Sequence, residues 1–257
     1  EKVAPAIPVH VLYTASSSPH QKAYDDVIDI FGTRNVHITP QKNAHSFKSD
    51  LMEILLRLTC DVLFFLVDDI LFTEPVDLRD VLKFDLDEFV PSLRMGRNLT
   101  RCYVLQAPQS LPHFLEHPSG DSDKIIWQWN KGELDWSYPL SVDGHFFARR
   151  EAAAMAALTS FAAPNSFEDA LQIFRPLFEK SFGVGYNKSR IVNIPCNRVQ
   201  TERSNLAGST HPDELLALWQ KGYQIDFTKL SGITNESVHQ EIVLPPTRRT
   251  RPDSTKK

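Results

Sequence analysis

The chain has 257 residues, 42% apolar and 23% charged, with a net charge of −4 and a pI near 6.2. That length supports one sizeable hydrophobic core, and the acidic balance argues against a nucleic-acid binder. No apolar run is long enough to span a bilayer and no basic-then-apolar leader opens the sequence, so a transmembrane protein is not expected.

Three scattered cysteines, Cys60, Cys102 and Cys196, fit neither a disulfide framework nor a zinc site. A reducing, cytoplasmic setting is therefore expected. The Asn-x-Ser/Thr triplets at Asn98, Asn187 and Asn235 are read as chance occurrences.

In chain order, Val9–Thr14 reads as a first strand, closed by the polar loop Ala15-Ser16-Ser17-Ser18-Pro19. Tyr24, Val27, Ile28 and Phe31 then share one helical face, and Gly32 ends the helix. Asn35–Thr39 reads as a second strand. A further helix is expected from the N-cap Ser46, with Phe47, Leu51, Ile54, Leu55 and Leu58 on one stripe.

The run Asp61-Val62-Leu63-Phe64-Phe65-Leu66-Val67 reads as a strand buried on both faces, and it ends in two carboxylates, Asp68-Asp69. The alternation β-α-β-α-β predicts a nucleotide-binding α/β sheet. Beyond it, Arg101–Leu105 and Gly144–Ala148 read as strands, and Ser166–Lys180 and Pro212–Lys221 as helices. The organisation expected is one domain over residues 1–243. A basic, proline-rich extension over 244–257 is expected to be a disordered tail or linker, with peripheral membrane association open to it.

Asp68 and Asp69 lie where open α/β sheets place their ligand crevice. Like charges that close repel unless a cation lies between them, which favours a divalent metal with oxygen ligands. Two alternatives stand beside that reading: acids that merely cap the next element, and a phospho-accepting aspartate. The second would need further acids at the end of the first strand, where Thr14-Ala15-Ser16 stands.

In Ser166-Phe167-Glu168-Asp169, the spacing of Ser166 and Asp169 resembles a capping box. Either acid is also a candidate general base. Gly144, within Ser141-Val142-Asp143-Gly144-His145, permits close backbone approach to a ligand or forms a simple bulge. Trp136 and Tyr138 suit a sugar ring or a packed core equally.

Taken in order, these pieces resemble glycosyltransferases of the GT-A fold, particularly bacterial family 2-like enzymes. The resemblance spans most of residues 8–242. Val67-Asp68-Asp69 occupies the place of the metal-binding DXD motif, with Val67 where the first acid usually stands. Gly144 through Phe147-Ala148-Arg149-Arg150 is similar to the following strand motif, and Glu168-Asp169 to the acidic pair that supplies the base.

The resemblance implies an α/β, Rossmann-like mixed sheet flanked by helices. It also implies metal-dependent, inverting transfer from a nucleoside-diphosphate sugar to a carbohydrate hydroxyl. Asp69, Asp68 and His239 would hold Mn²⁺ or Mg²⁺. Asp169 would be the base, with Glu168 close behind and Asp143 in reserve. Thr14, Ala15, Ser16, Lys48, Arg94, Asp68, Gly144 and Trp136 would contact the donor. A sugar nucleotidyltransferase, or a non-catalytic GT-A-like module of a larger polysaccharide-assembly enzyme, is the alternative.

Overall fold

The computed structural model describes residues 3–32, 35–116, 123–196 and 208–249. Its first part follows the sequence pattern closely. Strand Val9–Tyr13 pairs in parallel with Val36–Pro40, and helix Ser18–Phe31 crosses between them. Ser17 caps that helix by accepting the His20 N–H, Pro19 sits in its first turn, and the Gly32 N–H closes it on the Ile28 carbonyl.

Helix Phe47–Arg57 follows Ser46, as its apolar stripe requires, and packs against helix Arg149–Leu158. Leu55, Leu140, Phe147, Ala152, Met155 and Phe167 build the core beneath these helices. The Ser46 hydroxyl is used differently from expectation. It donates to Asp50 Oδ2 at 2.6 Å and leaves the helix N–H groups to other partners.

The apolar run before Asp68 is not one long buried strand. Only Val62–Phe64 is extended and paired, antiparallel to Phe146–Ala148, and all three residues are half-buried. The chain then turns, and Ile70–Phe72 pairs antiparallel with Ile191–Asn193. Asp68 and Asp69 thus sit on the crossover between two ladders, Asp68 exposed and Asp69 half-buried.

The largest sheet comes from segments that carry no clear strand pattern. Phe182–Tyr186 lies in its middle, antiparallel to Lys124–Gln128 and parallel to Phe89–Gly96. Trp127 fills the space above Gly183, where an added Cβ would stand 2.2 Å from the indole. The architecture is mixed α/β, with one three-stranded sheet and several two-stranded ladders in place of the single continuous sheet expected.

Two other expectations change in detail. The segment Arg101–Leu105 is extended only at Arg101–Cys102, which forms a hairpin with Ala107–Pro108. The long helix of 166–180 breaks into Pro164–Leu171, a 3₁₀ turn at Gln172–Phe174, and Arg175–Phe178, where Pro176 cannot donate to the preceding turn.

Helix Pro212–Gln220 forms as expected and packs on Ser18–Phe31, with Trp219 Nε1 donating to Asp26 Oδ2 at 3.1 Å. In the C-terminal extension, Pro246–Arg248 pairs antiparallel with Tyr223–Ile225, and the Arg249 guanidinium lies 3.6 Å over the Trp219 ring. Residues 250–257 lie outside the described residues. No helix of the described residues is long and apolar enough to cross a membrane.

Candidate active site

Four segments distant in sequence meet around Asp143. Gly144, beside it, adopts φ +78, a left-handed conformation that most side chains disfavour. Its N–H bonds the Phe65 carbonyl at 2.8 Å and its carbonyl takes the Leu93 N–H at 2.9 Å, which joins two ladders at this point. A Cβ here would stand 2.3 Å from Ile191 Cδ1. Gly144 therefore serves close packing that fixes Asp143.

Asp143 is 6% exposed, and its Oδ2 lies 3.5 Å from both Arg94 Nη1 and His239 Nε2. Arg94, 5% exposed on strand Phe89–Gly96, also donates to the Ser141 hydroxyl and lies 3.8 Å from Asp135 Oδ1. Burial works to raise the proton affinity of Asp143. The His239 hydrogen bond and the Arg94 charge outweigh it and hold this carboxyl below the usual range.

Asp69 is placed by Asn193, whose side-chain amide donates to Asp69 Oδ1 at 2.8 Å, while the Ile194 N–H bonds the Asp69 carbonyl. The same Asn193 bonds through its backbone to Val238 and Gln240, and so carries His239 alongside. Burial, then the charges of Asp68 and Asp143, push the Asp69 carboxyl up to about 7. The Cys196 thiol is pushed up to about 11 by burial and by Asp69 and Asp68.

Glu168 reaches the same cluster from helix Pro164–Leu171, where its Oε1 accepts the Val142 N–H at 3.2 Å. Burial and the nearby Asp143 raise it to about 7. This helix starts at Pro164, two residues before the expected cap, and Ser166 bonds back to the N–H groups of Ala162 and Ala163. The first turn holds no acid, so capping does not account for Glu168 or Asp169. Between those two, Glu168 is the one drawn toward Asp143. Burial and the charge of Glu168 raise the half-buried Tyr138 phenol beside it.

Several expected contacts lie elsewhere. The Lys48 ammonium donates to the carbonyls of Ala157 and Thr159 and sits 5.6 Å over the Phe161 ring, so it caps a helix end and does not face the cluster. Trp136 is fully buried, edge-on to Trp127 at 4.9 Å, with its indole N–H on the Leu99 carbonyl. It is core, and cannot wall a sugar. Arg94 is committed to Asp143, Ser141 and Asp135, which removes it from a diphosphate.

Thr14 and Ser16 are exposed at the end of the first strand. That strand end does approach the acids. The Tyr24 phenol, stacked on Tyr13 at 4.1 Å, is raised by burial and then by the Asp68 charge.

No family model, curated protein or solved structure matches this chain. The site is therefore read from its own chemistry. Asn193 and Asp135 carry no sequence signal that marks them, and Ser141 and the buried His145 stand in the motif around Gly144 without a role assigned to them. His145 is pushed down to about 3 by burial and by Arg94, so it is neutral at physiological pH, with Nδ1 at 2.8 Å from the Pro139 carbonyl.

Among the described residues, no three His, Cys, Asp or Glu side chains stand together as a metal cage. A cation held by one or two carboxylates together with substrate phosphates needs no such cage. Burial raises Asp69 most, and the neighbouring acids add to it; a cation offsets both, so Asp69 and Asp68 fit that mode of binding. His239 stands beside this pair, with its Nε2 3.5 Å from Asp143 Oδ2.

The raised Asp69 has a consequence for stability. Its proton affinity in the fold exceeds the ordinary value of 3.8, so its stabilising contribution is full below about pH 4 and is lost as pH rises through about 7. Asp69→Asn keeps an acceptor for Asn193 and removes the charge. It should be more stable than the parent at pH 8 by roughly 1–2 kcal/mol, which is a rise of about 2–8 °C in thermal midpoint. The gain should shrink toward pH 5. A variant less stable than the parent at pH 8 would contradict the electrostatic reading.

Proposed function

We propose that the chain is a metal-dependent glycosyltransferase of the GT-A type. It would move a sugar from a nucleoside-diphosphate sugar to a carbohydrate hydroxyl, with inversion. The observation that carries this is the pair of carboxyls, Asp69 and Glu168, both raised to about 7 around one buried Asp143–Arg94–His239 cluster. Two acids near neutrality with different partners suit two roles, cation holding and proton transfer.

Asp69, with Asp68, would hold Mn²⁺ or Mg²⁺. Bound there, the ion supplies positive charge against the leaving diphosphate. Glu168 accepts the proton of the acceptor hydroxyl as its oxygen attacks the anomeric carbon from the face opposite the diphosphate. Asp143, kept ionised by Arg94 and His239, raises the basicity of Glu168 and so readies it for that proton.

The loop Thr14–Ser16 contacts the nucleotide. The nearness of Asp68 to Tyr24, which stacks on Tyr13 at the end of the first strand, supports that assignment. Mixed α/β architecture with a parallel βαβ start is consistent with the GT-A fold.

The test is a thermal-shift panel of nucleoside diphosphates with and without Mn²⁺. One nucleotide should stabilise the parent, more so with Mn²⁺, by several degrees at concentrations well above its Kd. Asp69→Asn should lose the Mn²⁺ increment. A panel in which none responds, or in which Asp69→Asn responds fully, would count against the proposal.

A further inference from the structure

A cleft of about 400 Å³, within the size range of small-molecule sites, is lined in part by His239, whose Nε2 lies 3.5 Å from Asp143 Oδ2. One wall is the hairpin carrying Arg101, Tyr103 and Gln106, and the other is the segment carrying Thr234, Glu236 and His239. We propose that this cleft binds a hexose ring of the sugar acceptor and presents it to the acidic cluster. The inference rests on the transferase reading and names the substrate class of that site.

The walls are fixed before any ligand arrives. The N–H groups of Thr100 and Arg101 both bond the Glu236 carbonyl at 3.0 Å, and the Tyr103 N–H bonds Ser237 Oγ at 3.0 Å. Behind them the three Asn-x-Ser/Thr triplets of the sequence meet in one network. The Asn98 amide donates to Ser189 Oγ at 3.0 Å and to the Asn235 carbonyl at 2.6 Å. Ser189 Oγ bonds Asn235 Oδ1 at 2.8 Å, and Asn235 Nδ2 donates to the Ser237 carbonyl at 2.8 Å. Asn235 and Ser189 are wholly buried. Such a satisfied polar network rigidifies the segment it holds.

The lining suits a ring bearing many hydroxyls. It offers amides, hydroxyls, one guanidinium and one carboxylate, a balanced set of donors and acceptors with no excess of either charge. Tyr103 adds an aromatic face whose hydroxyl is tethered to Glu241 Oε1 at 3.1 Å, with its ring 6.5 Å from that of His239.

Gln106 holds φ +51 at the hairpin tip, a conformation glycine adopts at no steric cost. The side chain kept at that position helps to hold the turn, its Nε2 donating to the Tyr103 carbonyl at 2.6 Å. Its amide oxygen is the group we assign to the ring hydroxyls.

Saturation-transfer NMR on the full chain tests this with methyl glucoside, galactoside and mannoside and with N-acetylglucosamine. At least one should bind the parent. Gln106→Gly, which relieves the positive φ and removes the amide together with its bond to the Tyr103 carbonyl, should weaken that binding by about three- to tenfold, the worth of one net hydrogen bond. Tyr103→Ala should weaken it as well. The Mn²⁺-dependent response to nucleoside diphosphate should stay at the parental level in both variants.

No sugar binding, or sugar binding that neither variant changes, would overturn the assignment while leaving the nucleotide response to speak for the transferase reading. Inorganic phosphate competing for the cleft in an Arg101-dependent way would also overturn it. Variant-sensitive sugar binding without any nucleotide response would support the cleft and sink the transferase reading.

Discussion

Glu168→Gln is expected to lower the rate of sugar transfer by about two to four orders of magnitude, the usual contribution of a positioned general base. The substitution keeps the size of the side chain and the carbonyl oxygen that accepts the Val142 N–H. Folding and nucleoside-diphosphate binding should therefore persist.

The sign of the pH dependence follows from the raised carboxyl. A base that loses its proton near pH 7 is mostly idle at pH 6 and mostly competent at pH 8. The parental rate should therefore climb through about 7. Asp169→Asn should cost far less. Initial rates across pH 5.5–8.5 decide the matter: an active Glu168→Gln beside an inactive Asp169→Asn would move the base to Asp169.

The second large effect concerns Arg94. Its guanidinium is the charge partner of the buried Asp143 and also lies near Asp135. Arg94→Met would leave Asp143 buried with only His239 to offset it. Removing one partner of a buried pair costs about 3–5 kcal/mol, because the remaining charge is stranded. Urea unfolding should show that loss at pH 7.5.

Adding Asp143→Asn to Arg94→Met should recover part of the stability, since the stranded charge is then gone. Lowering the pH should do the same by protonating Asp143. A single variant within about 1 kcal/mol of the parent, the size of a surface ion pair, would mean that Asp143 is solvated and the cluster is looser than described.

Local punctuation made much of the first part of the fold legible. Ser17 and Pro19 before Tyr24, and Gly32 after Phe31, bracket a helix whose bounds need no tertiary information. The boundaries at Ser46, whose hydroxyl makes no cap bond, and at Pro212, the first residue of its helix, are legible in the same way. Where tertiary packing decides, the pattern misleads. Phe89–Gly96 contains Pro91, Ser92 and Arg94 at buried positions, so it carries no strand pattern, yet it forms one edge of the largest sheet. Gly183 and Gly185 conceal the middle strand for a similar reason, since their missing side chains make room for Trp127 and Met95. The run Val62–Val67 errs in the opposite direction, because apolar continuity cannot say where a strand stops.

The site shows the same division. Asp69, Asp143, Glu168 and His239 were identifiable as acids and a histidine in informative places, and the fold brings them together. Lys48 and Trp136 were misread because residue type does not reveal what a side chain packs against. Asn193 went unnoticed, although an amide interrupting Ile191-Val192-Asn193-Ile194 is a polar group that must find a partner once buried. The triplets at Asn98, Asn187 and Asn235 had no visible reason in sequence, and three of their residues prove to hold one another inside the fold.

The most direct measurement is the release of nucleoside diphosphate from a panel of nucleotide sugars, with a simple sugar acceptor present, in the presence and absence of Mn²⁺. The account predicts Mn²⁺-dependent release from at least one donor, lost in Asp69→Asn and reduced at least about a hundredfold in Glu168→Gln. Release at the parental rate by both variants, or none from any donor in a parent that binds the nucleotide, would contradict it.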